Sequence, residues 1–331
     1  MKHHSLSFLV LSSLLAAQTV KPGSLPMRAF LPDDHRLVAY ADLAAMRARG
    51  VWEELQVSAL NLAFQQMAKE LGFPLEALDR ATIAGDLPTD DSGRRRGPRT
   101  VFALEGNSEL TLPERLRQRQ PETIGNHEVR RGSHDLSVTI DGKLRIEGDP
   151  ELVESALTGR PRTGMPCADI LSLLSGRADQ LAYVVMDVGN EHTDDVLKQL
   201  FKDPTWPEED APTFLCLRLL VLGDADDPHL GLEVVLRHAK AGEGLAASEQ
   251  LADAFLATLA DDARLRPLKP ILAKVEKRRD HADLVYRADF GRARIAVGHV
   301  ATLILPMFGS VRVEAARAAA PAAPAPGQPK K

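Results

Sequence analysis

The spacing of apolar and polar positions divides most of the chain into short strands and helices. Two apolar runs stand out: Arg36 to Ala41 within LPDDHRLVAYADL, closing on Asp42, and the run within DQLAYVVMDV (Asp179 to Val188), closing on Asp187. Each is followed by a charged helical pattern, so each predicts a buried strand that feeds a helix. After the first, Leu43 to Arg49 begins a helix, Gly50 interrupts it and Val51 to Leu71 continues it. Trp52, Leu55, Ala59, Ala63, Met67 and Leu71 then fall on one stripe at three- and four-residue steps, and Gly72 marks the stop. Further strands are predicted at Ala81 to Gly85 and Thr100 to Leu104, on either side of the polar loop 86–98. Leu112 to Arg119 reads as a short basic helix. A meander of Asn126 to Arg131, Leu136 to Ile140 and Leu144 to Glu147 follows, with Asp141-Gly142 as its tight turn. Asp149-Pro150 caps a helix over Glu151 to Leu157.

A comparable order follows the second run. Helices are predicted at Ala168 to Leu174, before the strand Leu181 to Asp187, and at Thr193 to Phe201 after it. Phe214 to Leu222 and Leu230 to Arg237 form a long hairpin, Leu245 to Leu259 an amphipathic helix, and Val275 to Arg279 and Leu284 to Phe290 two more strands. Hairpins beside helices predict an α+β fold, here a tandem pseudo-repeat of antiparallel sheet with flanking helices. The halves are residues 31–160 and 167–314, meeting near Gly159 to Pro166, and their strands are able to merge into one continuous sheet. Leu37, Val38, Leu181, Val184, Leu217 and Leu219 are the expected core. Residues 18–30 read as a linker and 315–331 as a disordered Ala/Pro-rich tail.

The first residues change the picture from fold to address. Lys2 gives a positive start, Leu6 to Ala17 is an unbroken apolar and small stretch, and polar Gln18 and Thr19 follow. That layout predicts a signal peptide over residues 1–17, cleaved near Ala17, and a periplasmic or secreted mature protein. A second apolar stretch, Ile295 to Val313, raises a C-terminal membrane contact. Gly298, His299 and Pro306 and its short length favour a soluble, domain-closing element instead.

Aromatic residues make up only 5% of the chain, so Leu, Val and Ala fill the interior. The net charge of −5, without a concentrated basic face, argues against nucleic acid as a partner. Cys167 and Cys216 are the two cysteines, which an oxidising compartment would allow to pair across the two halves; the other reading is that Cys216, in an apolar strand, is a free thiol behaving as a small hydrophobe.

The opening LPDDHRLVAYADLAAMRARGVW resembles the start of a group of uncharacterised exported bacterial proteins. Their pattern is LP-x-D, an apolar strand, Asp-Leu, then a Leu/Met-Arg helix closing on Trp. The resemblance runs on through ALDRATIAG and TIDGKLRIEGDPELVESAL and loosely through the second half. It implies export and brings no activity, cofactor or site residue with it. LILPMFGSVRVEAAR, Leu303 to Arg317, is similar to a stretch of pseudopilin-like secreted proteins. It lies at the other end of the chain and lacks the processing motif, so no pilus role follows.

Catalytic patterns fail one by one. Gly242 to Ala247 spells G-x-G-x-x-A before a helix, but Glu243 puts a negative charge where a pyrophosphate would sit, so it reads as a turn and no cofactor is expected. Gly132-Ser133-His134-Asp135 has triad residue types, yet neighbours in a strand face opposite ways, which leaves a hairpin turn. His127, Glu128 and His134 do not make a zinc motif. The acidic loop containing Asp224, Asp226, Asp227 and His229 is the candidate metal site. It lacks the glycine and distant Glu of a calcium loop, and a solvated hairpin tip is the simpler reading. Glu191, His192, Asp194 and Asp195 read as helix-start charges, and Arg94, Arg95, Arg96 and Arg99 as a solvated loop. Asp42 and Asp187 are the candidate catalytic carboxylates, one per half, against a reading in which each ends its strand and caps a helix. The balance is a non-catalytic exported protein that binds or scaffolds a partner in the envelope or outside it. The alternative is an envelope hydrolase with one of these acidic sites.

Overall fold

The computed structural model describes residues 37–58, 61–86, 99–158, 179–188, 211–223 and 227–299. The two apolar runs that lead the sequence become its two most enclosed strands. Every residue of Leu37–Asp42 and of Gln180–Asp187 is buried. In chain order the elements are β1 (Leu37–Asp42), α1 (Leu43–Ala48), α2 (Val51–Gln56), α3 (Asn61–Leu71), β2 (Leu78–Asp86), β3 (Arg99–Gly106), α4 (Glu114–Arg117), β4 (Pro121–Ile124), β5 (His127–Arg131), β6 (Leu136–Ile140), β7 (Leu144–Gly148), α5 (Pro150–Thr158), β8 (Gln180–Asp187), β9 (Pro212–Leu222), β10 (His229–His238), α6 (Glu243–Asp261), α7 (Lys269–Leu272), β11 (Glu276–Asp280) and β12 (Asp283–Arg292).

The fold is α+β. All twelve described strands belong to one antiparallel sheet, in the order β11-β12-β10-β9-β8-β1-β2-β3-β7-β6-β5-β4. β1 and β8 are neighbours near its middle, with Leu37 opposite Met186 and Ala41 opposite Ala182. The strands before residue 150 therefore lie on one side of that pair and those after residue 210 on the other. An interior position in a sheet covered on both faces is why these two runs show no apolar–polar alternation. The edges are guarded: β11 is exposed throughout and reads EKRRD, and β4 opens on Pro121, so both resist further strand pairing.

Local chemistry sets several boundaries. Asp42 accepts a hydrogen bond from the Ala45 backbone N–H at 3.1 Å and so caps α1. The Asp141-Gly142 turn has both residues at positive φ, 51° and 69°, as a two-residue hairpin of this hand requires. The Asp149 carboxylate accepts from the N–H groups of Glu151 and Leu152 and starts α5.

The predicted helix over Val51 to Leu71 is two helices. Ser58 donates both its backbone N–H and its hydroxyl to the Leu55 carbonyl, at 3.1 and 2.6 Å, and closes α2 there. The hydroxyl competes for a carbonyl that a continuing helix would use, and Val57 is left 82% exposed. β4 is a strand the hydrophobic pattern did not announce, because Pro121–Ile124 has no buried face. Of the expected core, Leu37, Val38, Leu181, Val184 and Leu219 are buried and Leu217 is partly buried. The linker, the segment between the halves, both predicted helices flanking β8 and the tail lie outside the described residues.

Candidate functional site: an apolar cavity on the sheet

Residues directly opposite in neighbouring strands share a sheet face, so the register alone lays out the surface beside α1 to α3. One row runs Ala39, Ile83, Phe102 and Glu147 across β1, β2, β3 and β7. The next runs Ala41, Ala81, Leu104 and Arg145. The floor is thus apolar under β1 to β3 and turns charged at β7.

α1, α2 and α3 roof this floor and leave a cavity of about 300 Å³, at the lower end of the range for small-molecule sites. Leu43, Trp52, Phe64, Met67 and Leu71 line it from above, and Ala39, Ala41, Ala81, Ile83, Phe102 and Leu104 from below. The alanines matter: small side chains on the central strands leave volume that valine or leucine would fill. Trp52 stacks on Phe64 with ring centroids 5.6 Å apart, fixing one wall. Its Nε1 is buried and, among the described residues, has no hydrogen-bond partner.

At the polar end stand Glu70, Arg115 and Glu147. Arg115 reaches Asp135 at 2.5 Å and Glu147 at 2.8 Å. Behind them Arg145 is completely buried. It donates to the carbonyls of Leu71 and Thr111 at 2.6 and 3.0 Å, pairs with Glu147 and lies over the Phe73 ring at 5.4 Å. Its desolvation pulls the guanidinium below its ordinary pKa, with Glu147 opposing. Leu71 ends α3, so Arg145 places a cation at that helix C-terminus and ties the cavity roof to the sheet.

The structure separates the two candidate catalytic carboxylates. In the antiparallel β1–β8 register Asp187 falls one residue beyond Met186, at the end remote from Asp42. At about 3.4 Å per residue they are about 20 Å apart along the strands. Asp42 is fully buried, caps α1 and pairs with Arg80 at 3.1 Å. Burial pushes its carboxyl pKa up, against the Ala45 N–H and Arg80, which lower it. It alternates with Ala41 along β1 and so lies on the face away from the cavity.

In the acidic loop, Asp224 and Asp226 lie outside the described residues. Asp227 pairs with Arg292 at 3.0 Å, and His229 Nδ1 lies 3.2 Å from Asp289. Among the described residues no group of three or more His, Cys, Asp and Glu is placed to hold a metal. The Gly132–Asp135 segment is a turn in which the Gly132 N–H donates to the Asp135 carbonyl at 2.8 Å, and the Asp135 carboxylate serves Arg115. Arg99 pairs with Glu151 at 2.5 Å. Gly242 stands just before α6, which Glu243 opens. Cys216 is buried and its thiol is pushed up to about 11 by desolvation; Cys167 lies outside the described residues. Among the described residues no helix is long and apolar enough to cross a membrane.

No protein-family model matches the chain, and no curated protein does. Among solved structures the chain is similar to TP0453 of Treponema pallidum, a protein of uncharacterised function. For crystal form I the TM-score is 0.43 at 9% identity, over 86% of this chain and 99% of that one. For form III it is 0.40 at 9% identity, over 83% and 97%. No activity and no site residue comes to this chain from that likeness.

Proposed function

We propose that the protein is an exported, non-catalytic binding protein whose cavity under α1 to α3 holds a small apolar ligand. The cavity itself carries this reading. Trp52, Phe64, Met67, Ile83, Phe102 and Leu104 surround one space, and an apolar volume with a few polar groups at one end is the usual form of a ligand site. The apolar start of the sequence and its resemblance to exported proteins support a periplasmic or secreted location. The 20 Å between Asp42 and Asp187 removes support from a hydrolase built on that pair.

A neutral long-chain alcohol added to the mature protein should change Trp52 fluorescence saturably. Ala81→Phe, which fills the cavity from its floor, should abolish the change while the fold is kept. A variant that binds as the parent does would end this reading. Export is tested separately by the mass of the mature N-terminus, where an intact Met1 in the cytoplasmic fraction would refute it.

The halves before and after residue 160 read as related units. Support comes from β1 and β8, matched in burial and paired antiparallel, each leading outward to two long strands. An experimental structure in which residues 37–158 fail to superpose on 179–299 would refute the duplication.

A further inference from the structure

We propose that the ligand carries a protonated amine, held by Glu70 at the open end of the cavity, with its hydrocarbon chain running inward over the apolar floor. The proposal rests on the binding reading above and adds to it the chemistry of the head and the direction in which the ligand lies.

Exposure locates the open end. Of the residues that line the cavity, Leu43, Trp52, Phe64 and Leu104 are at most 5% exposed. Glu70 of α3 and Arg115 of α4 line the same space and are exposed. The cavity therefore opens to water between these two side chains. Phe64 and Glu70 lie six residues apart on α3, about 9 Å along the helix, so the roof passes from aromatic to acidic toward the opening. The floor changes in the same direction, since the row Ala39, Ile83, Phe102 ends on Glu147. An amphiphile entering chain first leaves its head at this mouth.

Charge at the mouth selects the head. Arg115 is taken by Asp135 and Glu147, and Arg145 by Glu147 and the carbonyls of Leu71 and Thr111. These two guanidiniums offset Asp135 and Glu147. Glu70 stands outside that balance. It accepts a hydrogen bond from the neutral Gln66 amide at 2.7 Å, and among the described residues no cation pairs with it. Neighbouring Lys69 points about 100° away around the helix and does not line the cavity.

The helix adds to the effect. Glu70 occupies the last turn of α3, where the macrodipole favours a cation and disfavours a carboxylate. The mouth thus holds one negative charge in excess, at the negative end of a helix. An ammonium head meets both and brings three donors to acceptor oxygens. An alcohol leaves the charge unmatched, and a carboxylate adds a second one beside it.

The test uses the mature protein carrying Trp206→Phe, so that Trp52 is the only indole. Decylamine, protonated at neutral pH as a lysine side chain is, is compared with 1-decanol and decanoate. Each is titrated below its micelle concentration, with Trp52 fluorescence as the readout. The amine should bind about fivefold tighter than decanol, as for an exposed ion pair backed by a helix terminus, and decanoate more weakly than either. Salt at about 1 M should erase most of the difference. Glu70→Gln should bring the amine to within about twofold of decanol and leave decanol itself within about twofold of its parent value. Glu276→Gln makes the same charge change on β11, at the far edge of the sheet, and should leave the advantage intact. If decanol binds and the amine binds no tighter, the head assignment falls while the cavity reading stands. The same holds if Glu70→Gln keeps the advantage, or if both variants lose it alike. Tightest binding by decanoate overturns the head assignment outright. If none of the three binds, both readings fall together.

Discussion

Tyr40 and Tyr183 face each other across the β1–β8 pair, with ring centroids 5.4 Å apart and planes inclined by 28°. The stack lies where the strands of residues 37–148 meet those of residues 180–292, and adds side-chain packing to the backbone ladder there. Tyr40 is 6% exposed, and its hydroxyl lies beside Arg80 without a hydrogen bond of good geometry. Burial and the Asp42 carboxylate push its pKa well above the ordinary tyrosine value.

Tyr40→Ala should therefore cost about 3–5 kcal/mol of unfolding free energy, as for other buried aromatics. Tyr40→Phe should stay within about 1 kcal/mol of the parent, since the ring carries the packing. Urea unfolding of the two variants checks both figures.

Arg145 is the strongest polar link between roof and floor of the cavity. Arg145→Met should destabilise the fold by about 3–5 kcal/mol, because it leaves Glu147 and two backbone carbonyls short of a buried donor. Hydrogen exchange should speed up first in α3, whose last carbonyl Arg145 holds.

At the start of α1, Asp42→Ala should cost about 1–2 kcal/mol through loss of the cap. Asp42→Asn keeps an acceptor for the Ala45 N–H and should cost less. Arg80 remains paired with Glu105 at 3.2 Å in either variant. Thermal unfolding of the pair should rank them in that order.

Toward the β11 edge of the sheet, Glu249 and Asp253 of α6 are held by Lys277 of β11, at 2.7 and 2.8 Å, and Glu249 is also held by Arg279. Hydrogen bonds from these cations pull both carboxyls below their ordinary pKa values. The folded pKa values are depressed, so the stabilisation is present above the unfolded value of about 4 and is lost as pH falls through the folded values. Tm should drop on acidification below about pH 4, and Glu249→Gln should flatten part of that drop.

The sequence by itself determined where most strands lie, because apolar runs, turn residues and caps act over a few neighbours. Leu37–Asp42 and Gln180–Asp187 were legible as buried strands, the Asp141-Gly142 hairpin from its turn chemistry, and the Asp42 and Asp149 caps from residue type. The break after Val57 was not legible, since Ser58 turns back onto Leu55 only because the core does not need Val57. Tertiary structure alone decided that β1 pairs with β8. Two strands nearly 140 residues apart carry no local signal for their partner or its direction. That antiparallel register separates Asp42 from Asp187, which the sequence had offered as a pair. It also decided the cavity: Ala39, Ala41 and Ala81 read as ordinary small strand residues until they lie side by side beneath Trp52 and Phe64. The burial of Arg145 was hidden for the same reason, because in the sequence it looks like a solvent-facing position of a hairpin, and only the packing of α3 and the segment around Thr111 takes it out of water.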